Sequence, residues 1–134
     1  MRILEMLAAS ALVLAGTAAP VVAAPSVAEK GEARLARLLE GRVAGEPVQC
    51  IYLPLVRDTR IISGTAIVYD AGPTLYVNRP EGARWLSQGD VMLTTPHASQ
   101  LCNVDIVRLF DQGTQFERGF VGLGDFVPYK KAER

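Results

Sequence analysis

The segment that most constrains this chain runs over residues 60–80 and reads RIISGTAIVYDAGPTLYVNRP. Its two halves are rich in β-branched and aromatic residues, which are enriched in strands. Residues 70–73 (DAGP) separate the halves, and glycine and proline at such positions are typical of a tight turn. Ile67 and Val68 are adjacent and both apolar, so we expect one long strand over residues 61–69 with both faces covered. The segment therefore predicts a hairpin at the centre of a β-rich core.

The N-terminus predicts export. Residues 1–23 combine a short basic start, an apolar run and small residues before a cleavage point, which is the pattern of a secretory signal peptide. We expect cleavage within residues 23–28, after Ala23 or alternatively after Ala28. A retained membrane anchor is the competing interpretation, although the apolar run is shorter than the roughly 20 residues that span a bilayer. The sequence thus predicts a periplasmic or secreted protein that is not an integral membrane protein after cleavage.

The two cysteines lie on either side of the hairpin, Cys50 before it and Cys102 after it. Two cysteines in an exported protein predict one disulfide. It would close a loop of about 50 residues and contribute roughly 4 kcal/mol in the chain-entropy description. Two separate buried thiols are the alternative, and no C-x-x-C pattern indicates a redox-active pair.

The mature chain is predicted to hold one domain. Residues 24–31 (APSVAEKG) are small and polar and predict a flexible tether, residues 32–129 form the domain, and residues 130–134 (KKAER) form a solvated tail. About 110 residues remain after signal removal, which is enough for one hydrophobic core.

Residues 29–40 carry the clearest helical pattern. Leu35, Leu38 and Leu39 follow the i, i+3, i+4 spacing of one apolar stripe. Gly41 is placed to end the helix. We favour a helix that packs on a sheet over a helix that binds a partner.

The rest of the chain contains short β-rich runs broken by glycine and proline. Five to seven such runs recur at intervals of about 10 to 15 residues, which favours a sandwich or small barrel over alternating strands and helices. The predicted fold is mainly β, a small antiparallel barrel or sandwich with one N-terminal amphipathic helix, and α+β is the alternative class.

Charge and metal-ligand content narrow the possible functions. Lys and Arg number 14, Asp and Glu also 14, and the net charge is zero, which argues against nucleic acid as the main partner. Zinc sites need clustered cysteine and histidine ligands, and this chain has one histidine, His97, and two cysteines predicted to pair. We therefore predict no metal site and no cofactor.

Catalytic chemistry has few candidates. His97 would need a nucleophile and an orienting group nearby in space. A pair of carboxylates could also act as acid and base, but most acids sit at turns, where they make local hydrogen bonds. The acids considered are Glu46, Asp58, Asp70, Glu81, Asp90, Asp105, Asp111, Glu117 and Asp125. The sequence predicts no catalytic residue.

The densest set of recognition-type residues follows the hairpin. Aromatic residues and arginine often anchor binding surfaces. On this ground we predict a binding surface, and the alternative is that the aromatic residues pack over the sheet. The set comprises Tyr76, Asn78, Arg79, Arg84 and Trp85.

Five stretches carry a resemblance to a known group of proteins. They are residues 64–69 (GTAIVY), 75–80 (LYVNRP), 99–102 (SQLC), 107–109 (VRL) and 124–129 (GDFVPY). In these stretches the chain resembles a family of small exported proteins of alphaproteobacteria to which no activity is assigned. The resemblance covers about residues 32–129. It implies export and a paired Cys50 and Cys102, and it transfers no site.

These observations favour a non-enzymatic periplasmic or secreted domain that binds a protein, a glycan or another envelope component. Two alternatives stay open. One is a small acid-dependent hydrolase, which would require two carboxyls, or His97 and a hydroxyl, to converge in one cleft. The other is a structural or stress protein without a specific ligand.

Overall fold

A computed structural model describes residues 12–133 of the chain. Residues 12–25 lie in no helix or strand and are exposed. The predicted signal peptide lies partly outside the described residues, and it stays a prediction. Within the described part of the chain, no helix combines the length and the apolar character that crossing a membrane requires.

Residues 12–133 form one helix and ten strands. Two single-turn 3₁₀ helices also occur, at Leu53–Leu55 and Ala83–Trp85. In chain order the elements are α1 (Val27–Leu38), β1 (Arg42–Ala44), β2 (Cys50–Tyr52), β3 (Asp58–Ile62), β4 (Ala66–Asp70), β5 (Thr74–Asn78), β6 (Asp90–Thr94), β7 (Gln100–Cys102), β8 (Ile106–Asp111), β9 (Glu117–Gly122) and β10 (Phe126–Lys131).

The strands form three antiparallel sheets. The largest has the order β1-β10-β5-β4-β3, a second pairs β2 with β7, and a third has the order β6-β8-β9. We call these the five-stranded, two-stranded and three-stranded sheets. The mainly β class with one helix is confirmed. The sheets do not close into a barrel, and they stack as in a sandwich.

The predicted hairpin is present but contains an extra turn. Instead of one strand over residues 61–69, the chain forms β3 and β4 and reverses between them at Gly64, whose φ is +66°. Glycine adopts this left-handed conformation at little cost, which allows the tight reversal. β4 is buried on both faces as predicted, because Ile67 packs into one apolar cluster and Val68 into another.

Helix α1 begins at Val27, inside the segment predicted as a tether, so the tether prediction is wrong for residues 27–31. Ser26 is the N-cap: its hydroxyl accepts a hydrogen bond from the Glu29 N–H at 3.2 Å, and the Glu29 carboxylate accepts one from the Ser26 N–H at 2.6 Å. This reciprocal pair satisfies amides that an uncapped helix leaves free. The predicted apolar stripe is correct: Leu35 is fully buried and Leu38 and Leu39 pack beside it.

The five-stranded sheet has an apolar cluster on each face. Helix α1 covers the first face, where Leu35 meets Ile62, Ala66, Val68, Leu75 and Val77. The other two sheets cover the second face, where Ile51, Leu101, Val107, Leu109 and Val121 meet Ile61, Ile67, Tyr69 and Phe126. The five-stranded sheet is therefore the middle layer, between helix α1 on one side and the two smaller sheets on the other.

The predicted disulfide is confirmed. Cys50 on β2 and Cys102 on β7 lie directly opposite each other in the two-stranded sheet, with their Cα atoms 4.0 Å apart. Their strand neighbours Ile51 and Leu101 point into the core. The bond therefore fixes two strands that cover the five-stranded sheet.

Candidate functional site

A cavity lies between β3 and β6 and is lined by residues of both strands. It has a volume of about 500 Å³, which falls within the range of about 300–1,000 Å³ typical of ligand pockets. Its apolar lining is Leu53, Ile61, Tyr69, Met92 and Leu101. Its polar lining is Arg34, Thr59, Arg60, Gln88, Asp90 and Thr94. We call this cavity the β3–β6 cleft.

The cleft opens on the edge of β3 rather than on one face of it. Three consecutive residues of this strand, Thr59, Arg60 and Ile61, line the cleft. Because successive side chains of a strand point to opposite faces, one cavity touches all three only if it runs along the strand's edge. β3 is the terminal strand of its sheet. The cleft therefore faces the backbone of an edge strand.

The ladder geometry identifies the backbone groups on this edge. The Ala71 N–H donates to a β5 carbonyl at 2.9 Å and closes the β4–β5 turn, which sets the alternation of hydrogen bonds along β4. By that alternation Val68 bonds to Arg60 on β3. Thr59 and Ile61 flank Arg60 on β3. They therefore direct their backbone N–H and C=O groups away from β4 and toward the cleft.

A second free edge faces the first. The Asp111 N–H donates to the Phe116 carbonyl at 2.9 Å, so this residue bonds toward β9. The next residue, Phe110, bonds toward Val91 on β6, which leaves Met92 with its backbone groups directed outward. β6 is also terminal in its sheet. The cleft thus lies between two strand edges whose outward backbone groups bond to no neighbouring strand, although the Thr59 N–H also contacts the Asp58 carboxylate.

The charges around the cleft are unevenly paired. The Asp90 side chain is 1% exposed, and both its carboxylate oxygens accept from the Arg118 guanidinium, at 2.6 and 2.5 Å. Arg60 donates to Asp58 at 3.0 Å, which lowers the pKa of the Asp58 carboxyl. Arg34 donates to the side-chain oxygen of Gln88, a neutral partner. A positive charge therefore stands at one end of the cleft.

The predicted recognition residues do not form one surface. Tyr76 is half-buried and packs on the core beneath the sheet. Arg79 makes two hydrogen bonds to Glu32 on α1, at 2.5 and 3.1 Å, and this contact lowers the pKa of the Glu32 carboxyl. The Arg84 guanidinium lies 5.1 Å from the centroid of the Trp85 ring, and Trp85 is 60% exposed. Only Arg84 and Trp85 lie together at the surface.

Asn78 is a structural residue, so its assignment to a binding surface is wrong. It is completely buried. Its amide nitrogen donates to the Gly124 carbonyl at 2.7 Å, and its amide oxygen accepts from the Gly124 N–H at 2.9 Å. A Cβ at Gly124 would lie 3.0 Å from the Arg79 carbonyl oxygen, which explains glycine here. The pair joins β5 to the segment that leads into β10.

Trp85 has a different neighbour from those predicted. With Phe120, Arg118, Gly119 and Leu109 it lines a groove of about 330 Å³ at the edge of β9. Trp85 and Phe120 are separated by 35 positions in the sequence, so the pattern of residues around Trp85 carried no signal for this contact.

The outer face of the three-stranded sheet is apolar and uncovered within the described residues. Leu93, Arg108 and Phe120 form one cross-strand row on this face, and Val91 and Phe110 form the next. Ile106 extends it, and Val91, Leu93, Ile106 and Phe120 are each about half exposed or more. Arg108 makes two hydrogen bonds to Glu117 at 2.9 and 2.6 Å, which lowers the pKa of that carboxyl.

His97 has an orienting partner that the sequence did not reveal. Its Nδ1 lies 3.2 Å from Asp105 Oδ1, and Asp105 Oδ2 accepts from the Cys102 N–H at 2.7 Å. The imidazole is 91% exposed. Over residues 12–133 no serine, threonine or tyrosine hydroxyl is hydrogen-bonded to its ring.

The candidate acids are held by separate partners. Asp90 pairs with Arg118, Glu117 with Arg108, and Asp125 accepts from Asn103 at 2.7 Å. Each of the larger cavities contains at most one carboxylate. No cluster of three metal-ligating side chains occurs in the described part of the chain. The convergence that the hydrolase alternative requires is not seen among these residues.

Comparison with protein-family models, with curated proteins and with solved structures found no match for this chain. The resemblance to small exported proteins of alphaproteobacteria therefore stays a prediction from the sequence. Function has to be argued from the site itself.

Proposed function

We propose that this chain is a non-enzymatic binding domain of the periplasm or the extracellular space, and that it takes an extended polypeptide segment into the β3–β6 cleft as an added strand. An envelope protein with an exposed extended segment is the kind of partner this site suits. The disulfide and the predicted signal peptide support the location, because disulfides persist in oxidising compartments.

The observation that carries the proposal is the lining of the cleft by three consecutive residues of an edge strand. Strand addition uses main-chain hydrogen bonds for affinity and side-chain pockets for selectivity. Thr59 and Ile61 supply the backbone groups, and Leu53, Met92 and Leu101 supply an apolar wall. A small rigid ligand would use the wall but not the edge.

The length of the cleft suits a short segment. Asp90 and Thr94 both line it and stand four positions apart on β6. At about 3.3 Å per residue this spans roughly 13 Å. The cleft therefore accommodates about four residues of extended chain, and longer segments would extend beyond both ends.

The test selects binders from a phage-displayed library of random decapeptides on the disulfide-bonded protein and titrates the enriched peptide. Thr59→Pro removes an edge N–H that does not bond to β4, and proline is tolerated at such edge positions. We expect this variant to lose most of its affinity, whereas Thr59→Val, which keeps the N–H, binds as before. Equal binding by Thr59→Pro, or a library that yields no enriched sequence, would contradict the proposal.

A further inference from the structure

The charges of the β3–β6 cleft carry one inference about its ligand, and this inference rests on the proposed function. Asp90 lies in the cleft wall, but its two oxygens are both bonded to Arg118 and its side chain is 1% exposed. Its charge is compensated within the fold. A cationic ligand group would therefore meet a carboxylate that is already paired.

Arg34 is in the opposite situation. It lies on the exposed side of α1 and donates to Gln88. Over residues 12–133 no carboxylate lies within 4 Å of its guanidinium. Arg60 is paired with Asp58, but both side chains of that pair are about half exposed, and such pairs contribute little and exchange readily. A ligand carboxylate can bond to Arg34 without displacing a charged partner.

The positive charge stands at a defined end of the cleft. The Gln88 N–H donates to Ser63 Oγ at 2.9 Å, and the Gly64 N–H donates to the Leu86 carbonyl at 3.0 Å. These bonds place Arg34 and Gln88 beside the end of β3 at Ile62. The apolar wall of Leu53 and Leu101 lies toward the other end, where the Leu53 N–H donates to the Ser99 carbonyl at 2.9 Å.

We infer that the cleft selects an extended polypeptide segment with a carboxylate beside Arg34 and apolar side chains facing Leu53, Met92 and Leu101. The guanidinium offers paired donors that match a carboxylate. Alternation of side chains along the segment would place every second residue against the apolar wall. The occupant is thus an acidic and otherwise apolar extended segment. Its carboxylate belongs either to an Asp or Glu side chain or to a chain terminus.

The test uses the enriched peptide and two neutral analogues of it. In the first analogue each Glu becomes Gln and each Asp becomes Asn. In the second analogue the free C-terminus is also amidated. We expect Arg34→Gln to weaken binding of the acidic peptide about tenfold, since hydrogen bonds to charged groups are the stronger class. Arg37→Gln, on the exposed part of the same helix, is the matched control and should bind as the unaltered protein does. The neutral analogue measured on the Arg34→Gln protein should lose little more affinity than either change alone, because both changes remove the same contact.

The outcomes separate the two proposals. If Thr59→Pro abolishes binding but Arg34→Gln and the neutral analogues bind unchanged, the carboxylate inference is wrong and strand addition stands. If binding responds to Arg34→Gln but not to Thr59→Pro, the ligand is held by charge alone and strand addition is wrong. A library without enriched sequences overturns both. The thermal midpoint of each variant shows whether it is folded.

Discussion

The five-stranded and three-stranded sheets are both built from apolar strands, but they differ in what covers them. On the five-stranded sheet, Ile67 and Val68 are neighbours that point to opposite faces, and both are buried. On the three-stranded sheet, Leu109 is buried beneath the sheet while the cross-strand pair of Leu93 and Arg108 faces outward. One sheet has a helix on one side and strands on the other. The other sheet has a layer on one side only.

This difference separates the framework from the surfaces that can meet a partner. The five-stranded sheet uses both faces for stability and presents its two edges, at β1 and at β3. The three-stranded sheet presents its outer face and its edge at β6. Large exposed apolar faces often mark interaction sites, and β6 belongs to both that face and the cleft.

The largest expected effect on stability comes from replacing phenylalanine by alanine, once in the five-stranded sheet and once in the three-stranded sheet. Phe126→Ala removes a fully buried ring, which typically costs about 3–5 kcal/mol of unfolding free energy. Phe120→Ala removes a ring that is 67% exposed, and exposed changes usually stay within about 0.5 kcal/mol. Urea unfolding of both variants measures the difference. Phe126→Leu and Phe120→Leu give a milder version if Phe126→Ala does not fold, and equal costs at the two positions would contradict the comparison.

The disulfide is expected to have the next largest effect, because it fixes the two strands that cover part of the five-stranded sheet. Its 52-residue separation corresponds to a stabilisation of roughly 4 kcal/mol in the chain-entropy description. Thermal unfolding with and without a reductant measures this. The Cys50→Ala/Cys102→Ala double variant should match the reduced protein, and an unchanged midpoint would show that the two-stranded sheet holds without the bond.

Gly31→Ala tests the contact between the helix and the five-stranded sheet. Alanine inside a helix is normally more stable than glycine by about 1 kcal/mol. Here a Cβ would overlap Thr65 Oγ1 and lie 2.7 Å from the Ser63 carbonyl oxygen. We therefore expect destabilisation of about 1–3 kcal/mol, within the range for overpacking. Ala33→Gly, at an exposed position of the same helix, controls for propensity, and a stabilised Gly31→Ala protein would show that the helix does not pack this closely.

The smallest expected effect is the pH dependence of the Glu32–Arg79 contact. Arg79 lowers the pKa of the Glu32 carboxyl below its ordinary value of 4.5. A lowered pKa contributes stability above the unfolded-state value and loses it as the pH falls through the folded-state value. Both side chains are about half exposed, so the contribution is below about 1 kcal/mol. Glu32→Gln should reduce stability slightly at pH 7 and have no effect near pH 2, and a constant difference across this range would contradict the assignment.

The sequence predicted the framework better than the site, for physical reasons. Periodicity reports burial, so the two-faced β4, the stripe through Leu35 and the disulfide could be read from local patterns. The start of α1 also has a local signal, because Ser26 and Glu29 have capping-box spacing, although the small polar composition of residues 24–31 is typical of a tether. Gly64 and the turn after Ile62 were missed because the flanking apolar residues look continuous.

The cleft could not be predicted because it depends on which strands lack a neighbour. Pairing order is set by contacts between distant segments, such as Phe126 with Asn78 and Met92 with Leu109. Residue type misled as well: Asn78 looked like a recognition residue but bonds to Gly124 in the interior. Arg34 lies on the exposed side of α1, and only the fold shows that it reaches the cleft.

Residue-resolved amide exchange along β3 tests the central claim most directly. In the free protein we expect the Ile61 amide to exchange faster than its neighbours Arg60 and Ile62, which bond to β4. Addition of the enriched peptide should slow exchange at Ile61 and leave Arg60 unaltered. An Ile61 amide that is unaffected by the peptide, with slowed exchange confined to Leu93 and Phe120, would place the partner on the outer face of the three-stranded sheet and contradict strand addition.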